Sequence, residues 1–375
     1  MKIVLAPDSF KESLTAKEVA DAMEVGIKRV FSNVECIKVP MADGGEGTVQ
    51  SLVDGTNGNI YEILVTGPLG KKVKAKYGIL GDKNTAVIEM AEASGIHHVE
   101  KNERNPLITT TFGTGELIKS ALDKGVKKII IGIGGSATND GGAGMIQALG
   151  AKLLDKDENE LNFGGGELGN LHKIDLTNFD KRIDNIQIEV ACDVNNPLTG
   201  KEGASAIFGP QKGATEELIN ILDKNLSHYA QVVKEQLGKD LKNEKGAGAA
   251  GGLGFALLAF CNGKLKPGVD IVIEYTNLNE KIKGASYVVT GEGSIDRQTK
   301  FGKTPYGVAK VAKNHNIPVI AIAGNVGEGV NELYDLGFNA ILSIVPGIMT
   351  LEKALDKGRE NIENTMENIA RLLLL

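Results

Sequence analysis

The stretch that decides the fold is KIIIGIGGSATNDGGAG, residues 128–144. Its apolar first part predicts a buried strand, its glycines predict a turn, and the apolar residues that follow at helical spacing predict a helix. A strand, a glycine turn and a helix in this order aim backbone N–H groups at an anion. The side chains of Ser136, Thr138, Asn139 and Asp140 in the turn are suited to bind hydroxyl groups or a metal ion. The stretch therefore predicts an α/β fold with a site for an anionic ligand.

The two ends of the chain together predict one domain, and the middle predicts another. Short apolar runs typical of buried strands occur at residues 3–6, 36–39, 287–290, 319–323 and 341–345. These runs form a five-stranded, doubly wound parallel sheet of the Rossmann or flavodoxin-like type. Alternating apolar residues from Val73 to Met90, with a turn at Gly81, instead predict an antiparallel hairpin.

We therefore expect a discontinuous α/β domain of residues 1–64 and 285–375. A second, mixed α/β domain of residues 65–284 is inserted into it. The active site is expected in the cleft between the two domains, because ligands of open α/β sheets bind at the carboxyl ends of the strands.

Composition excludes several classes of protein. The 375 residues are 42% hydrophobic and 24% charged, as in globular chains. Aromatic residues make up 5%, Trp is absent and the net charge is -6, which argues against a nucleic-acid surface. The three cysteines form no CxxC pair, and no run reaches the roughly 18 apolar residues of a membrane span. We expect a cytoplasmic protein without nucleic-acid or membrane partners.

Polar residues follow the first two predicted strands. Asp8, Ser9 and Lys11 suit an anionic, hydroxylated substrate, although taken alone they are more simply explained as the solvated charges of a loop before a helix. Asp43 and Glu46, separated by glycines, suit Mg²⁺, which prefers oxygen ligands. The alternative for this pair is a tight turn with Glu46 near a helix N-terminus.

Three further segments carry candidate chemistry. Asp193 follows an apolar run and is a fair general base, or an ordinary turn residue. Lys303 lies in Gly-Lys-Thr, but the upstream glycine of a P-loop would fall at Arg297, so Lys303 acts only as a point charge towards phosphate. Lys212 is expected in an exposed turn.

Two glycine patterns, at residues 132–137 and 246–251, match dinucleotide-binding motifs only weakly.

These segments together resemble the bacterial glycerate kinase family that is unrelated to the P-loop kinases. The resemblance extends over nearly the whole chain. It rests on the motifs at residues 6–11, 40–48, 134–144, 191–194, 208–214, 246–254, 290–293 and 302–305. It implies ATP-dependent phosphorylation of D-glycerate with Mg²⁺, and a Rossmann-like domain with an inserted second domain. The chain departs from the family at Ser294, usually basic, at Arg297, usually Gly, and at Glu12, often Gly.

The chemistry of such a kinase assigns roles to individual residues. Catalytic residues would be Lys11, Asp193 as the base, and Lys303. Substrate-binding residues would be Asp8, Ser9, Lys11 and Asn139. Nucleotide and phosphate would be bound by Gly134, Gly135, Ser136, Thr138, Gly291, Gly293 and Lys303. Metal ligands would be Asp43, Asp140 and Asp296.

Three other functions remain open at this stage. A kinase for another small hydroxy acid or sugar acid is chemically close, a Rossmann NAD-dependent oxidoreductase would need NAD(H) binding, and a sensor would bind glycerate without turnover. The expected product is 2-phosphoglycerate, by analogy with bacterial members of the family. A homodimer is a further expectation.

Overall fold

The computed structural model describes all residues from Met1 to Leu375. The chain divides into two compact units. Unit 1 consists of Met1–Gly58 and Pro267–Leu375, and unit 2 consists of Asn59–Lys266.

Strands and helices are numbered along the whole chain. The strands are β1 Lys2–Leu5, β2 Glu35–Lys38, β3 Asn59–Thr66, β4 Lys72–Ile79, β5 Thr85–Glu89, β6 Lys128–Gly132, β7 Lys152–Leu154, β8 Lys173–Asp175, β9 Gln187–Ala191, β10 Lys264–Lys266, β11 Tyr287–Ile295, β12 Val319–Val326 and β13 Ala340–Ser343. The helices are α1 Ala16–Lys28, α2 Thr48–Thr56, α3 Ala91–Ser94, α4 Phe112–Asp123, α5 Ala143–Ala148, α6 Ala204–Phe208, α7 Glu216–Leu237, α8 Ala249–Cys261, α9 Gly268–Tyr275, α10 Leu278–Lys281, α11 Thr304–Asn314, α12 Asn331–Tyr334, α13 Leu351–Asp356 and α14 Gly358–Leu372. Short 3₁₀ helices occur at Ile96–His98, Glu167–Asn170, Lys181–Asn185, Pro210–Lys212 and Thr299–Phe301.

Unit 1 is built on a five-stranded sheet with the order β13-β12-β11-β1-β2. All its neighbouring strands run parallel. Two strands from the start of the chain and three from its end form this sheet, as the apolar runs predict, so the doubly wound fold is confirmed. The order is the flavodoxin-like one, and the strand order reverses between β1 and β11.

Helix α1 begins at a capping box, which the order Thr15-Ala16-Lys17-Glu18 in the sequence predicts. Thr15 and Glu18 form a capping box, in which the Thr15 hydroxyl accepts from the Glu18 N–H at 3.3 Å and the Glu18 carboxylate accepts from the Thr15 N–H at 2.9 Å. The apolar face of α1 packs on α14, and Val19, Met23 and Ile362 lie in the core of unit 1. The apolar spacing of residues 351–374 predicts a single terminal helix, but the structure divides this segment at Lys357 into α13 and α14.

Unit 2 is built on a six-stranded mixed sheet with the order β10-β9-β6-β5-β4-β3. The β4-β5 pair is antiparallel, which confirms the predicted hairpin. The β3-β4 pair is also antiparallel, and the remaining pairs are parallel. A two-stranded sheet, β7-β8, completes the unit. The strand predicted at the start of residues 128–144 is confirmed as β6, and the helix predicted after the glycine turn is confirmed as α5. No helix in the structure has the length and apolar character needed to cross a membrane.

The unit boundaries differ from the expected positions after residues 64 and 284. Strand β3 belongs to unit 2 from its first residue, because it pairs along its whole length with β4. Helices α9 and α10 belong to unit 1, because both pack against α11. Neither helix carries a sequence signal for the unit to which it belongs.

Candidate functional site

A cavity of about 560 Å³ lies in unit 1, where the carboxyl ends of the strands meet. Its lining comes from the loops after β1 and β2, from the ends of β11 and β12, from the start of α11, and from the segment between β13 and α14. This place is where the strand order reverses between β1 and β11, which is where doubly wound sheets bind ligands. The cavity size lies within the range of about 300–1,000 Å³ usual for small-molecule sites.

Asp8 is the most perturbed acid of the cavity. Its side chain is only 9% exposed, and it accepts hydrogen bonds from the Ser9 N–H at 2.6 Å and from the Thr304 hydroxyl. Burial raises the pKa of Asp8 to about 7, because the charged form loses its hydration. The Thr304 hydrogen bond opposes this shift, while the carboxylates of Asp43 and Glu292 add to it. A carboxyl with a pKa near neutrality can accept or hold a proton at physiological pH.

Lys303 and Glu292 form an ion pair on another wall of the cavity. The Lys303 ammonium donates to Glu292 at 3.1 Å and to the Ser294 carbonyl at 3.2 Å. The Glu292 carboxylate also accepts from the Thr299 hydroxyl at 3.4 Å. Burial raises the pKa of Glu292, and Lys303 opposes that shift. The pair holds the Lys303 ammonium at the cavity at the start of α11, where it can meet an anionic ligand.

The cavity brings together most of the predicted residues of unit 1. Those that line it are Asp8, Ser9, Lys11, Asp43, Gly293 and Lys303. Gly291 does not line it but lies buried within β11, where its carbonyl accepts from the Asp8 N–H at 2.8 Å. Asp296 also lies outside the lining, and its carboxylate accepts from the Gln298 N–H at 2.7 Å.

The structure shows where the three residues that depart from the family pattern, Ser294, Arg297 and Glu12, lie. Ser294 lines the cavity, whereas Arg297 is exposed and lies outside the lining. Arg297 therefore does not replace the basic residue usual at position 294, and the cations at the cavity are Lys11 and Lys303. Glu12 has a φ of 62°, in the left-handed region that favours glycine, which explains why glycine suits this position.

In unit 2 the glycine-rich segment lies at the carboxyl edge of the six-stranded sheet. Gly134 and Gly135 are exposed directly after β6, while Ser136 is buried. Gly132, the last residue of β6, pairs with Ala191, the last residue of β9. The exposed Asp193 therefore follows the neighbouring strand at the same edge, so the structure brings this predicted base and the glycine turn to one side of unit 2.

The later part of the glycine-rich segment is interior. The Asn139 side chain is fully buried and donates to the Ser205 hydroxyl at 2.9 Å, and the buried Thr138 hydroxyl has no hydrogen-bond partner. The Asp140 carboxylate is also fully buried and accepts four hydrogen bonds, from the Thr111 N–H and hydroxyl and from two backbone N–H groups at residues 142 and 144. Thr138, Asn139 and Asp140 therefore lie in the interior of unit 2, and their predicted binding roles stay predictions.

Lys212 holds the same segment from inside unit 2. Its side chain is 2% exposed, and its ammonium donates to the Ser136 hydroxyl at 2.7 Å and to the Thr138 carbonyl at 2.6 Å. Burial lowers the pKa of Lys212 to about 7, and the charge of Asp140 opposes the shift. The expectation of an exposed turn was wrong, because the 3₁₀ helix at its end turns the side chain into the interior.

The second glycine pattern packs against the first. Gly251 and Gly252 have φ angles of 67° and 91° inside α8, and the Gly251 carbonyl accepts from the Gly141 N–H at 3.0 Å. A Cβ on Gly251 would lie 2.0 Å from the Thr138 carbonyl oxygen, and one on Gly252 would lie 2.8 Å from the Gly141 Cα. These glycines serve close packing, so the 246–251 pattern is not a dinucleotide-binding loop.

The predicted metal ligands are not gathered into one set. Asp43 lines the cavity, Asp296 lies outside it, and Asp140 lies in the interior of unit 2. No group of three or more His, Cys, Asp or Glu side chains is arranged to hold a metal ion. Carboxylates do gather at the unit 1 cavity, however, because the charges of Asp43 and Glu292 raise the pKa of Asp8, and the charge of Asp43 raises the pKa of Glu292.

Sequence reasoning missed three residues of these sites, Glu292, Thr304 and Lys212. Glu292 lies in the motif at residues 290–293, and a charged residue in an otherwise uncharged strand would have been a usable signal. Thr304 follows Lys303 and gave no signal, because its partner Asp8 is far away in sequence. Lys212 gave no signal either, since a lysine between glycines is ordinarily exposed.

Comparisons with known proteins give one consistent result. The sequence profile described as the glycerate kinase family matches residues 3–374. The chain is 56% identical over 375 residues to the glycerate kinase of Bacillus subtilis (strain 168), covering 100% of this chain and 98% of that protein. It is 53% identical over 375 residues to the glycerate 2-kinase of Escherichia coli (strain K12), covering 100% of this chain and 98% of that one.

A solved structure agrees with these sequences. The crystal structure of a protein assigned as glycerate kinase 2, from Salmonella typhimurium LT2, superposes with a TM-score of 0.93 at 53% identity. The match covers 100% of this chain and 98% of that chain. These findings confirm the resemblance drawn from the motifs.

Proposed function

The chain belongs to the glycerate kinase family and is a kinase, a phosphotransferase, and we propose that it transfers the γ-phosphoryl group of ATP to the carbon-2 hydroxyl of D-glycerate. The products would be ADP and 2-phosphoglycerate. The choice of carbon 2 is supported by the E. coli relative, which is a glycerate 2-kinase. Membership of a kinase family argues against the NAD-dependent oxidoreductase and the sensor, and a kinase for another hydroxy acid is the alternative.

The observation that carries this proposal is the cavity of unit 1. It presents two cations, Lys11 and Lys303, and a near-neutral carboxyl, Asp8, where the sheet order reverses. Glycerate carries one carboxylate and two hydroxyl groups, and ATP carries a triphosphate, so both substrates require cations and hydrogen-bonding groups. Phosphoryl transfer depends mostly on positioning and on neutralising charge, which such groups supply.

We assign the roles in unit 1 as follows. Lys11 and Ser9 hold the glycerate carboxylate, and Asp8 accepts a hydrogen bond from a substrate hydroxyl. Lys303 neutralises charge on the transferring phosphoryl group, and the half-buried backbone around Gly293, which lines the cavity, approaches the phosphates. These roles are supported by the common lining of one cavity.

A magnesium ion fits the carboxylates of the cavity. Proteins usually hold Mg²⁺ through one or two carboxylates together with substrate phosphates, so a complete protein cage is not needed. We propose Asp43 as its ligand in unit 1, because Asp43 lines the cavity and its loop follows β2. When bound, the ion would supply positive charge against the phosphate oxygens.

In unit 2 we propose that Gly134, Gly135 and Ser136 form the phosphate-binding turn, held by Lys212 from inside. Asp193 would take the proton of the substrate hydroxyl. The hydroxyl oxygen would then form a bond to the γ-phosphorus, while the bond from that phosphorus to the bridging oxygen breaks and ADP leaves with its electron pair. Asp8 is a second candidate for the base, because its pKa of about 7 suits proton transfer near neutrality.

The proposal is tested by measuring ADP release with a panel of acids. We expect release with MgATP and D-glycerate, and much slower release with L-glycerate, D-lactate, glycolate or tartrate. A higher kcat/KM for another acid would identify that acid, and not D-glycerate, as the substrate. A pH profile of kcat/KM for the wild type and Asp193→Asn separates the two base candidates, because Asp193→Asn retains turnover if Asp8 is the base.

Two further predictions belong to this proposal. A cytoplasmic location agrees with three free cysteines, and fractionation of the native cells would test it. A homodimer would be tested by light scattering on the purified protein.

A further inference from the structure

The cavity of unit 1 has two chemically different parts. One part is polar and carries Asp8, Ser9, Lys11 and Lys303. The other is an apolar wall formed by Ile344, Val345, Leu351, Ala354 and Leu355, which come from the end of β13 and from α13. The roles assigned above use the polar part only and leave the apolar wall without a function.

The apolar wall does not suit glycerate. Two of its three carbons carry hydroxyl groups and the third is the carboxylate carbon, and burying such groups against hydrocarbon without partners costs free energy. Glycerate is also small compared with a cavity of about 560 Å³, a volume in the range of drug-sized ligands. The wall therefore fits a larger ligand with an apolar, flat part.

The wall is fixed relative to the polar part of the cavity. The Ser13 hydroxyl, in the loop that carries Asp8 and Lys11, donates to the Leu355 carbonyl at 2.6 Å. Gly358 packs so closely on the same loop that a Cβ there would lie 2.3 Å from the Ser13 hydroxyl oxygen. Both parts therefore belong to one built site.

The wall also leaves a large apolar side chain uncovered. Leu351, the first residue of α13, is 73% exposed although it lines the cavity. A ligand that covers Leu351 would remove this apolar surface from water and gain free energy in proportion to the area. Among the reactants of a kinase, the nucleotide base is the group with large apolar faces.

We propose that the apolar wall binds the adenine ring of the nucleotide, with the ribose and phosphates extending towards Lys303. This inference rests on the proposed function, since it takes ATP as the phosphoryl donor. It names the wall, and Leu351 in particular, as the place where the base is recognised.

The test compares Leu351→Ala and Leu351→Asp with a matched control, Leu372→Asp. Leu372 is also exposed, at 63%, but lies at the end of α14 and does not line the cavity. Calorimetry measures the binding of MgADP and, separately, of magnesium tripolyphosphate, which has no base. Because Leu351 is exposed, we expect all three variants to fold, and thermal unfolding verifies this.

We expect Leu351→Asp to weaken MgADP binding by about tenfold or more, equivalent to about 1.4 kcal/mol, and Leu351→Ala to weaken it less. Tripolyphosphate binding and the KM for glycerate should stay unchanged, as should every value for Leu372→Asp. Unchanged MgADP binding in both Leu351 variants, or a raised KM for glycerate alone, would overturn the proposal. The binding measurement needs no turnover, so a wild type that binds MgADP but releases no ADP with glycerate would refute the proposed reaction while leaving this site testable.

Discussion

Replacing Asp8 by asparagine should stabilise unit 1 at neutral and alkaline pH. The folded protein holds the Asp8 carboxyl at a pKa of about 7, against an ordinary pKa of 3.8 for this group in an unfolded chain. Between these two values the folded state binds more protons at Asp8 than the unfolded state does. The free energy of unfolding therefore falls as pH rises from about 4 to about 7, and it stays reduced above that range.

The expected change in the free energy of unfolding follows from the shift in the pKa of Asp8. About three pKa units correspond to about 4 kcal/mol, at about 1.36 kcal/mol each, which is an upper limit for the penalty at pH 8. Asparagine has nearly the same shape and carries no charge. Its amide oxygen can accept from the Ser9 N–H, and its amide nitrogen can donate to the Thr304 hydroxyl, so both present contacts are preserved.

The assay is thermal unfolding of the wild type and Asp8→Asn across pH 4–8, without ligands. A gain of 1 kcal/mol raises Tm by about 2–4 °C in domains of 150–250 residues, so the difference at pH 8 should be several degrees and should shrink towards pH 4. Asp356→Asn, at an exposed aspartate of α13, serves as control. A difference between Asp8→Asn and wild type that does not change with pH would refute the reasoning.

Four further outcomes are expected from substitutions elsewhere. Between about pH 7 and pH 10.5 the folded wild type binds fewer protons at Lys212 than the unfolded chain does, so its free energy of unfolding should rise with pH. Lys212→Met should abolish this rise, and denaturant unfolding of both proteins at the two pH values measures the difference. Gly251→Ala should destabilise unit 2 by at least about 1–2 kcal/mol in urea unfolding, because of its positive φ and its contact with the Thr138 carbonyl. Asp193→Asn should lower kcat by about 10²–10⁴ if Asp193 is the base, and an unchanged circular dichroism spectrum is its control. Lys303→Met should lower kcat/KM by about 10²–10³, with no such loss if the ammonium only pairs with Glu292.

The sheet of unit 1 could be predicted because its signals are local. Each of its strands is a short apolar run, and α1 begins at a capping box that four consecutive residues define. The hairpin of unit 2 likewise follows from alternation along β4 and a turn near Gly81. Asp8, Lys11 and Asp43 were found in the same way, since strand ends of a doubly wound sheet line its ligand site.

Features that depend on contacts between distant segments could not be predicted. Lys212 is buried because its ammonium reaches Ser136 and Thr138, more than seventy residues away. Asp140 looks like a ligand residue in sequence, yet Thr111 and two backbone N–H groups occupy its oxygens. The close packing of Gly251 on the first glycine segment likewise leaves no mark in either motif taken alone.

The most direct test of the proposed reaction follows the product of MgATP and D-glycerate. ADP release is measured first, and the product is then offered to enolase with and without phosphoglycerate mutase. The proposal predicts ADP release and direct conversion by enolase, because enolase acts on 2-phosphoglycerate. Conversion only with the mutase would show that the phosphate is on carbon 3. No ADP release from folded protein would contradict the assignment of glycerate and ATP as substrates.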